Sequence, residues 1–105
     1  MNMPHPLYAV EVTPEYTLLR FSGNVDAYSV EKTRPEVLSS VPETAANIII
    51  DLTKVEFLDS HGVGMLVSLL KRSHKNNGKT FFAGAAPQPL SVLKMVGFNN
   101  INRVV

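Results

Sequence analysis

The chain has no cysteine among its 105 residues. That excludes a disulfide framework, thiolate-bound metal and a cysteine nucleophile, and it suits a reducing compartment. Its three histidines, His5, His61 and His74, lack companion ligands at metal spacing, so neither a metal nor another cofactor is expected. No apolar run approaches the roughly 20 residues that span a bilayer. The N-terminal Met1-Asn2-Met3-Pro4-His5-Pro6 lacks the basic-then-apolar order of a signal peptide. A dominant charge sign is missing too: ten Lys and Arg stand against nine Asp and Glu, which gives no electrostatic pull toward nucleic acid or an acidic membrane. The expectation is a cytoplasmic protein with no direct nucleic-acid contact and no membrane insertion. What is present, 45% hydrophobic and 18% charged residues, supports one small globular domain over residues 1–105.

Periodicity alternates between strand-like and helix-like segments. Leu7 to Val12 sets Leu7, Ala9 and Glu11 against Tyr8, Val10 and Val12, and Tyr16 to Phe21 is a second β-rich run. Thr13-Pro14-Glu15 between them is turn chemistry, which predicts a hairpin. Gly23-Asn24-Val25-Asp26 is expected to break the second strand and lead into a helix over Ser29 to Val41, with Val30, Val37, Leu38 and Val41 on one face. Pro35 sits either in the first turn of that helix, where its missing N–H is harmless, or at a kink.

Ile48 to Leu52 is the one run apolar enough to be a strand covered on both faces, so it should be central. A helix over Gly62 to Asn77 follows, with Val63, Leu66, Val67 and Leu70 as its predicted buried stripe. Lys71, Arg72, His74 and Lys75 fall in its last turns, where cations complement the dipole, and Gly78 reads as a left-handed stop. Thr80 to Ala83 reads as a strand. Pro87-Gln88-Pro89 opens a helix carrying Leu90, Leu93 and Val96 and closed by Gly97, and Ile101 to Val105 reads as a terminal strand. The order β-β-α-β-α-β-α, with or without a last β, predicts an α/β fold: a small mixed β-sheet with helices packed on it.

The run Ile48-Ile49-Ile50-Asp51-Leu52, then Val55-Glu56-Phe57-Leu58-Asp59-Ser60-His61-Gly62-Val63-Gly64, presents a serine at the start of a helix. The first N–H groups of a helix have no intrahelical partner and welcome an anion, phosphate included. Ser60 therefore reads as a modifiable residue, and the competing reading is that Asp59 or Ser60 simply caps the helix. Asp26 likewise either joins the site or only caps and turns the chain. Gly62 and Gly64 read as positions of close backbone approach, because Gly-Val-Gly falls short of a phosphate-loop fingerprint. Asp59-Ser60-His61 has the letters of a catalytic triad, yet three consecutive side chains diverge, and Leu58 occupies the first glycine of a nucleophile elbow. No enzyme activity is expected. At about 100° per residue, Met65 and Leu69 lie away from the predicted stripe, on the side shared with Ser68 and Arg72. They form either an apolar partner patch flanked by arginine or a surface buried under a neighbouring helix.

The order of elements, Gly23-Asn24-Val25-Asp26, Ile50-Asp51-Leu52, Phe57-Leu58-Asp59-Ser60-His61-Gly62-Val63-Gly64 and the closing Leu93-Lys94-Met95-Val96-Gly97-Phe98 together resemble the STAS domain of bacterial anti-sigma factor antagonists. The likeness runs through nearly the whole chain. It implies the STAS fold and a phosphorylation-controlled binding switch. The unmodified antagonist binds an anti-sigma factor that is a serine kinase of the histidine-kinase-like ATPase type. The kinase phosphorylates the serine and dissolves the complex, and a PP2C-type phosphatase restores it. Carried over by position, the phosphoacceptor is Ser60, with Asp59 and Asp26 at acidic positions near the switch. Ser60 is followed by His61, where close relatives often carry Ser or Thr, a departure that bears on kinase specificity. The resemblance and the helical geometry together give Asp26, Asp59, His61, Gly62, Gly64, Met65, Leu69 and Arg72 as the expected switch-site and partner-binding residues. The alternative within the same resemblance is a STAS scaffold or regulatory subunit of another assembly, such as a lipid-transport complex or a stress-signalling particle.

Overall fold

The hairpin forms as its turn chemistry dictates. In this computed structural model, which describes residues 7–101, β1 (Tyr8–Val12) pairs antiparallel with β2 (Thr17–Val25), and the Thr13 hydroxyl donates to the Tyr16 carbonyl at 3.0 Å inside the turn. β3 (Ile48–Leu58) and β4 (Thr80–Ala83) add in parallel, giving the order β1-β2-β3-β4 with the apolar strand between β2 and β4. The expected mixed sheet and the central place of Ile48 to Leu52 are both present. α1 (Ala27–Ser40), α2 (Ser60–Lys75) and α3 (Pro87–Met95) alternate with the strands. Ile101 makes one parallel bridge to Phe82. The rest of the expected terminal strand, 102–105, lies outside the described residues, as does the segment from Met1 to Pro6 with His5.

Strand alternation sorts the sheet into two unlike faces. Leu19, Phe21, Ile48, Ile50, Leu52 and Phe82 are buried on the helix-covered face, each contributing about 1.5–3 kcal/mol relative to exposure. Their neighbours Leu18, Ile49 and Phe81 are only half-buried, and Arg20 pairs with Asp51 at 3.5 Å across the same, more open face. Phe98 follows α3 and stacks on Phe82 with ring centroids 5.2 Å apart.

Several local expectations change. Gly23 does not end β2. It takes a left-handed φ of 74° and the strand continues to Val25 through register shifts, so the glycine allows an irregularity rather than a stop. α1 starts at Ala27, and Pro35 lies in its interior, which settles the first-turn alternative in favour of the helix body. The left-handed stop after α2 is Asn77 at φ 60°. Gly78 serves another purpose, since a Cβ there would collide with the Ala46 backbone.

The buried stripe of α2 is Gly62, Met65, Leu66, Leu69 and Ser73, not Val63, Leu66, Val67 and Leu70. The helix is turned by roughly 90° from the predicted orientation. Both sets have the spacing of a buried helix face. The true one ends in a glycine and a serine, which apolar periodicity does not count, because the backbone approaches at Gly62 and the Ser73 hydroxyl donates to the Ala46 carbonyl.

Candidate functional site

One side chain builds the corner where β3 turns into α2. Asp59 is extended (φ −118°, ψ −174°), and its Oδ1 accepts the N–H groups of His61 and Gly62 at 2.9 and 3.0 Å. Its Oδ2 accepts the N–H of Ala27, the first residue of α1, at 3.0 Å. One carboxylate therefore satisfies orphan donors at two helix N-termini. Burial works to raise the Asp59 pKa. The N–H bonds from Gly62, Ala27 and His61, with the adjacent imidazole, outweigh it and hold the carboxyl below its ordinary value.

Ser60 is the first residue of α2. Its side chain is exposed, and its hydroxyl makes no hydrogen bond among the described residues. Capping is done by Asp59, which leaves Ser60 without a structural task. Asp26 caps α1 in a capping box: it accepts from the Ser29 N–H at 3.0 Å, and the Ser29 hydroxyl accepts from the Asp26 N–H at 3.1 Å. His61 is exposed, with Nδ1 3.9 Å from Asp59 Oδ2, too far for a hydrogen bond. Gly62 is required by space, since a Cβ would collide with the Val25 carbonyl and sit 2.6 Å from Leu58 Cδ1. At Gly64 a Cβ would meet only Arg34 Nη1, at an ordinary 3.7 Å.

The structure gathers Asp26, Asp59, Ser60, His61, Gly62 and Gly64 at one corner and removes three residues from the expected partner surface. Met65 and Leu69 are completely buried, so the buried alternative for them holds and the exposed patch does not exist. Arg72 lies about 18 Å along α2 from Ser60. There its Nη1 donates to the Leu38 and Val41 carbonyls at 2.6 and 2.8 Å, and its Nη2 sits 3.4 Å from Glu43.

Two residues at this corner were not expected. Gln88, in the first turn of α3, accepts the Leu58 N–H at 2.8 Å and donates to the Leu58 carbonyl at 3.0 Å, imitating a neighbouring strand one residue before Asp59. Arg34 of α1 reaches across to α2 and donates to the Ser68 hydroxyl at 2.6 Å. Neither has a local signal, because each acts through a partner 30 or more residues away.

With this geometry in view, comparison with known proteins is decisive for the family: the STAS domain profile matches residues 8–105. The chain belongs to the STAS domain family. This STAS domain is 28% identical over 87 residues to the anti-sigma F factor antagonist of Lysinibacillus sphaericus, covering 82% of this chain and 74% of that protein. It is 24% identical over 100 residues to the putative sulfate transporter YvdB of Bacillus subtilis, covering 94% of this chain. The chain spans only 19% of that transporter's length. In fold, the STAS domain resembles the anti-sigma factor antagonist SpoIIAA in its unphosphorylated form, with a TM-score of 0.77 at 22% identity over 93% of this chain and 88% of that one. The phosphorylated form of the Bacillus SpoIIAA gives 0.72 at 24% identity over 93% and 91%. Among the described residues no helix is long and apolar enough to cross a membrane.

Proposed function

We propose that this chain, as a single STAS domain over residues 1–105, is a cytoplasmic anti-sigma factor antagonist without catalytic activity. It binds a histidine-kinase-like ATPase that phosphorylates Ser60, and a PP2C-type phosphatase reverses the modification. The observation that carries this reading is the unemployed Ser60 hydroxyl, exposed at a corner that Asp59 already caps. Adding a phosphate there displaces no hydrogen bond made by the Ser60 hydroxyl. It adds roughly −1.5 to −2 charges where a partner would have packed against a neutral hydroxyl. A loss of only about 4 kcal/mol weakens such a complex roughly a thousandfold. Exposed aromatic surface near the corner is supplied by Tyr28, 71% exposed in the first turn of α1, and Phe57, 43% exposed at the end of β3. These two replace Met65 and Leu69 as the apolar part of the partner surface.

Antagonist relatives matched over most of their own length favour this reading over the scaffold alternative. Support for the scaffold alternative includes a putative sulfate transporter of which the chain spans about a fifth. Phosphopeptide mass spectrometry on protein recovered from its native cells, with a Ser60→Ala control, tests the switch. Condition-dependent phosphate on Ser60, together with a roughly thousandfold weaker kinase complex for Ser60→Asp at an unchanged Tm, is expected. A well-detected unmodified peptide under every condition, with membrane transporter subunits co-purifying, would overturn it.

A further inference from the structure

α1 and α2 run side by side in the same direction, joined by Asp59 at their N-terminal ends and by Arg72 near their C-terminal ends. Between them lies an open groove of about 530 Å³ whose lining includes Glu31, Arg34, Ser60, His61 and Gly64. Arg34 is the guanidinium in that groove. Among the described residues it has no carboxylate at salt-bridge distance, and its hydrogen bond goes to a neutral hydroxyl, that of Ser68. Ser68, Gly64 and Ser60 are spaced four residues apart on α2, so they share one face, about 6 Å between neighbours. The guanidinium lies over the upper two of these three positions, with Nη2 on Ser68 and Nη1 beside Gly64. The missing side chain at Gly64 leaves the lane from Arg34 to Ser60 clear.

From this placement we infer that Arg34 is an internal phosphate clamp: when Ser60 carries a phosphate, the guanidinium leaves the Ser68 hydroxyl and pairs with the phosphate along the groove. The inference rests on Ser60 being a phosphoacceptor. A charge-assisted bond to a phosphate is stronger than one to a neutral hydroxyl, and the planar fork of arginine suits phosphate oxygens. The exchange needs only a new rotamer of one long side chain. Its effect is to hold the phosphate against its own domain and away from a partner's cations.

The test uses the full chain with phosphoserine installed at position 60 by genetic encoding, so the result does not depend on any cellular kinase. Phosphate ionisation is followed by ³¹P NMR, and the Arg34 Nε–H resonance by ¹H–¹⁵N NMR. The groups facing the phosphate are Glu31 and Arg34 from α1 and Asp59 and His61 from the start of α2. Imidazoles titrate in the range of a phosphomonoester, so each titration is repeated in a His61→Asn background. Arg34→Gln removes the guanidinium while the Ser68 hydroxyl keeps its 3.3 Å bond to the Gly64 carbonyl, so the fold is preserved. It is expected to raise the second pKa of the phosphate by about one unit, a tenfold change in proton affinity. In the parent chain the Arg34 resonance should shift on phosphorylation and track the phosphate titration. A phosphate titration unchanged by Arg34→Gln, with an Arg34 resonance that ignores the phosphate, would overturn the clamp. Failure of the switch itself would show separately, as the absence of phosphate on Ser60 in cells.

Discussion

The two ends of the α1–α2 pair are built from opposite materials. At the N-terminal end a single carboxylate, Asp59, accepts three backbone N–H groups. At the other end donors converge on carbonyls: Arg72 reaches Leu38 and Val41, Ser73 reaches Ala46, and the Asn76 amide reaches Glu43 and Ala45, the last two at 2.8 Å. Each end supplies what a helix terminus leaves unsatisfied. They differ in what they leave uncovered. The Arg72 side chain is 17% exposed and Ser73 is buried, while Ser60 and His61 stand in solvent. The same pair of helices thus has one closed end and one open end, and the proposed partner surface is the open one.

The frame common to both ends is the place to break that comparison most severely. Met65→Glu puts an unpaired carboxylate into the core and is expected to cost about 4 kcal/mol or more, enough to unfold the domain in a urea titration. A folded variant that loses only its partner would restore the exposed-patch reading of α2. Gly62→Ala attacks the open end from beneath, against the Val25 carbonyl, with an expected loss of about 3 kcal/mol and a matching fall in Tm. At the closed end, Arg72→Met removes two charge-assisted bonds, about 3 kcal/mol, and leaves partner affinity unchanged in calorimetric titration. Lost affinity at full stability would return Arg72 to the partner surface.

The smallest effect is the pH dependence of the open end. The folded Asp59 pKa lies below its ordinary 3.8, so its contribution is complete above that value and is lost as pH falls through the lower folded pKa. Asp59→Asn should flatten the parent's stability profile in that acid window. Superimposable profiles would show that the three N–H bonds do not depend on the charge.

The central strand was legible because Ile48, Ile49, Ile50 and Leu52 make the most apolar strand-length run in the chain, but the expected cover on both faces is not found: Ile48, Ile50 and Leu52 are buried, while Ile49 and Asp51 lie on the more open face. Asp59 was legible as a cap from its place between that strand and a helical pattern. Its second bond, to Ala27, was not, since a contact 32 residues away leaves no local trace. Arg34 and Gln88 were hidden for the same reason. The face of α2 was misread because its buried stripe ends in Gly62 and Ser73, chosen for closeness and for a hydrogen bond rather than for hydrophobicity. Gly78 was assigned to dihedral freedom when its role is spatial, and Asn77 takes the left-handed turn.

Gly62 has a further consequence, for time. Seated against the Val25 carbonyl and Leu58, it packs the first turn of α2 onto the ends of β2 and β3, so the proposed clamp asks no movement of the helix. The one mobile part in the clamp is an arginine side chain, and such side chains reorient within picoseconds to nanoseconds. The domain therefore adds no delay of its own. Under the proposed switch, how quickly a signal is passed on, and how long it is remembered, would belong to the enzymes that write and erase the mark and to the lifetime of the complex they act upon.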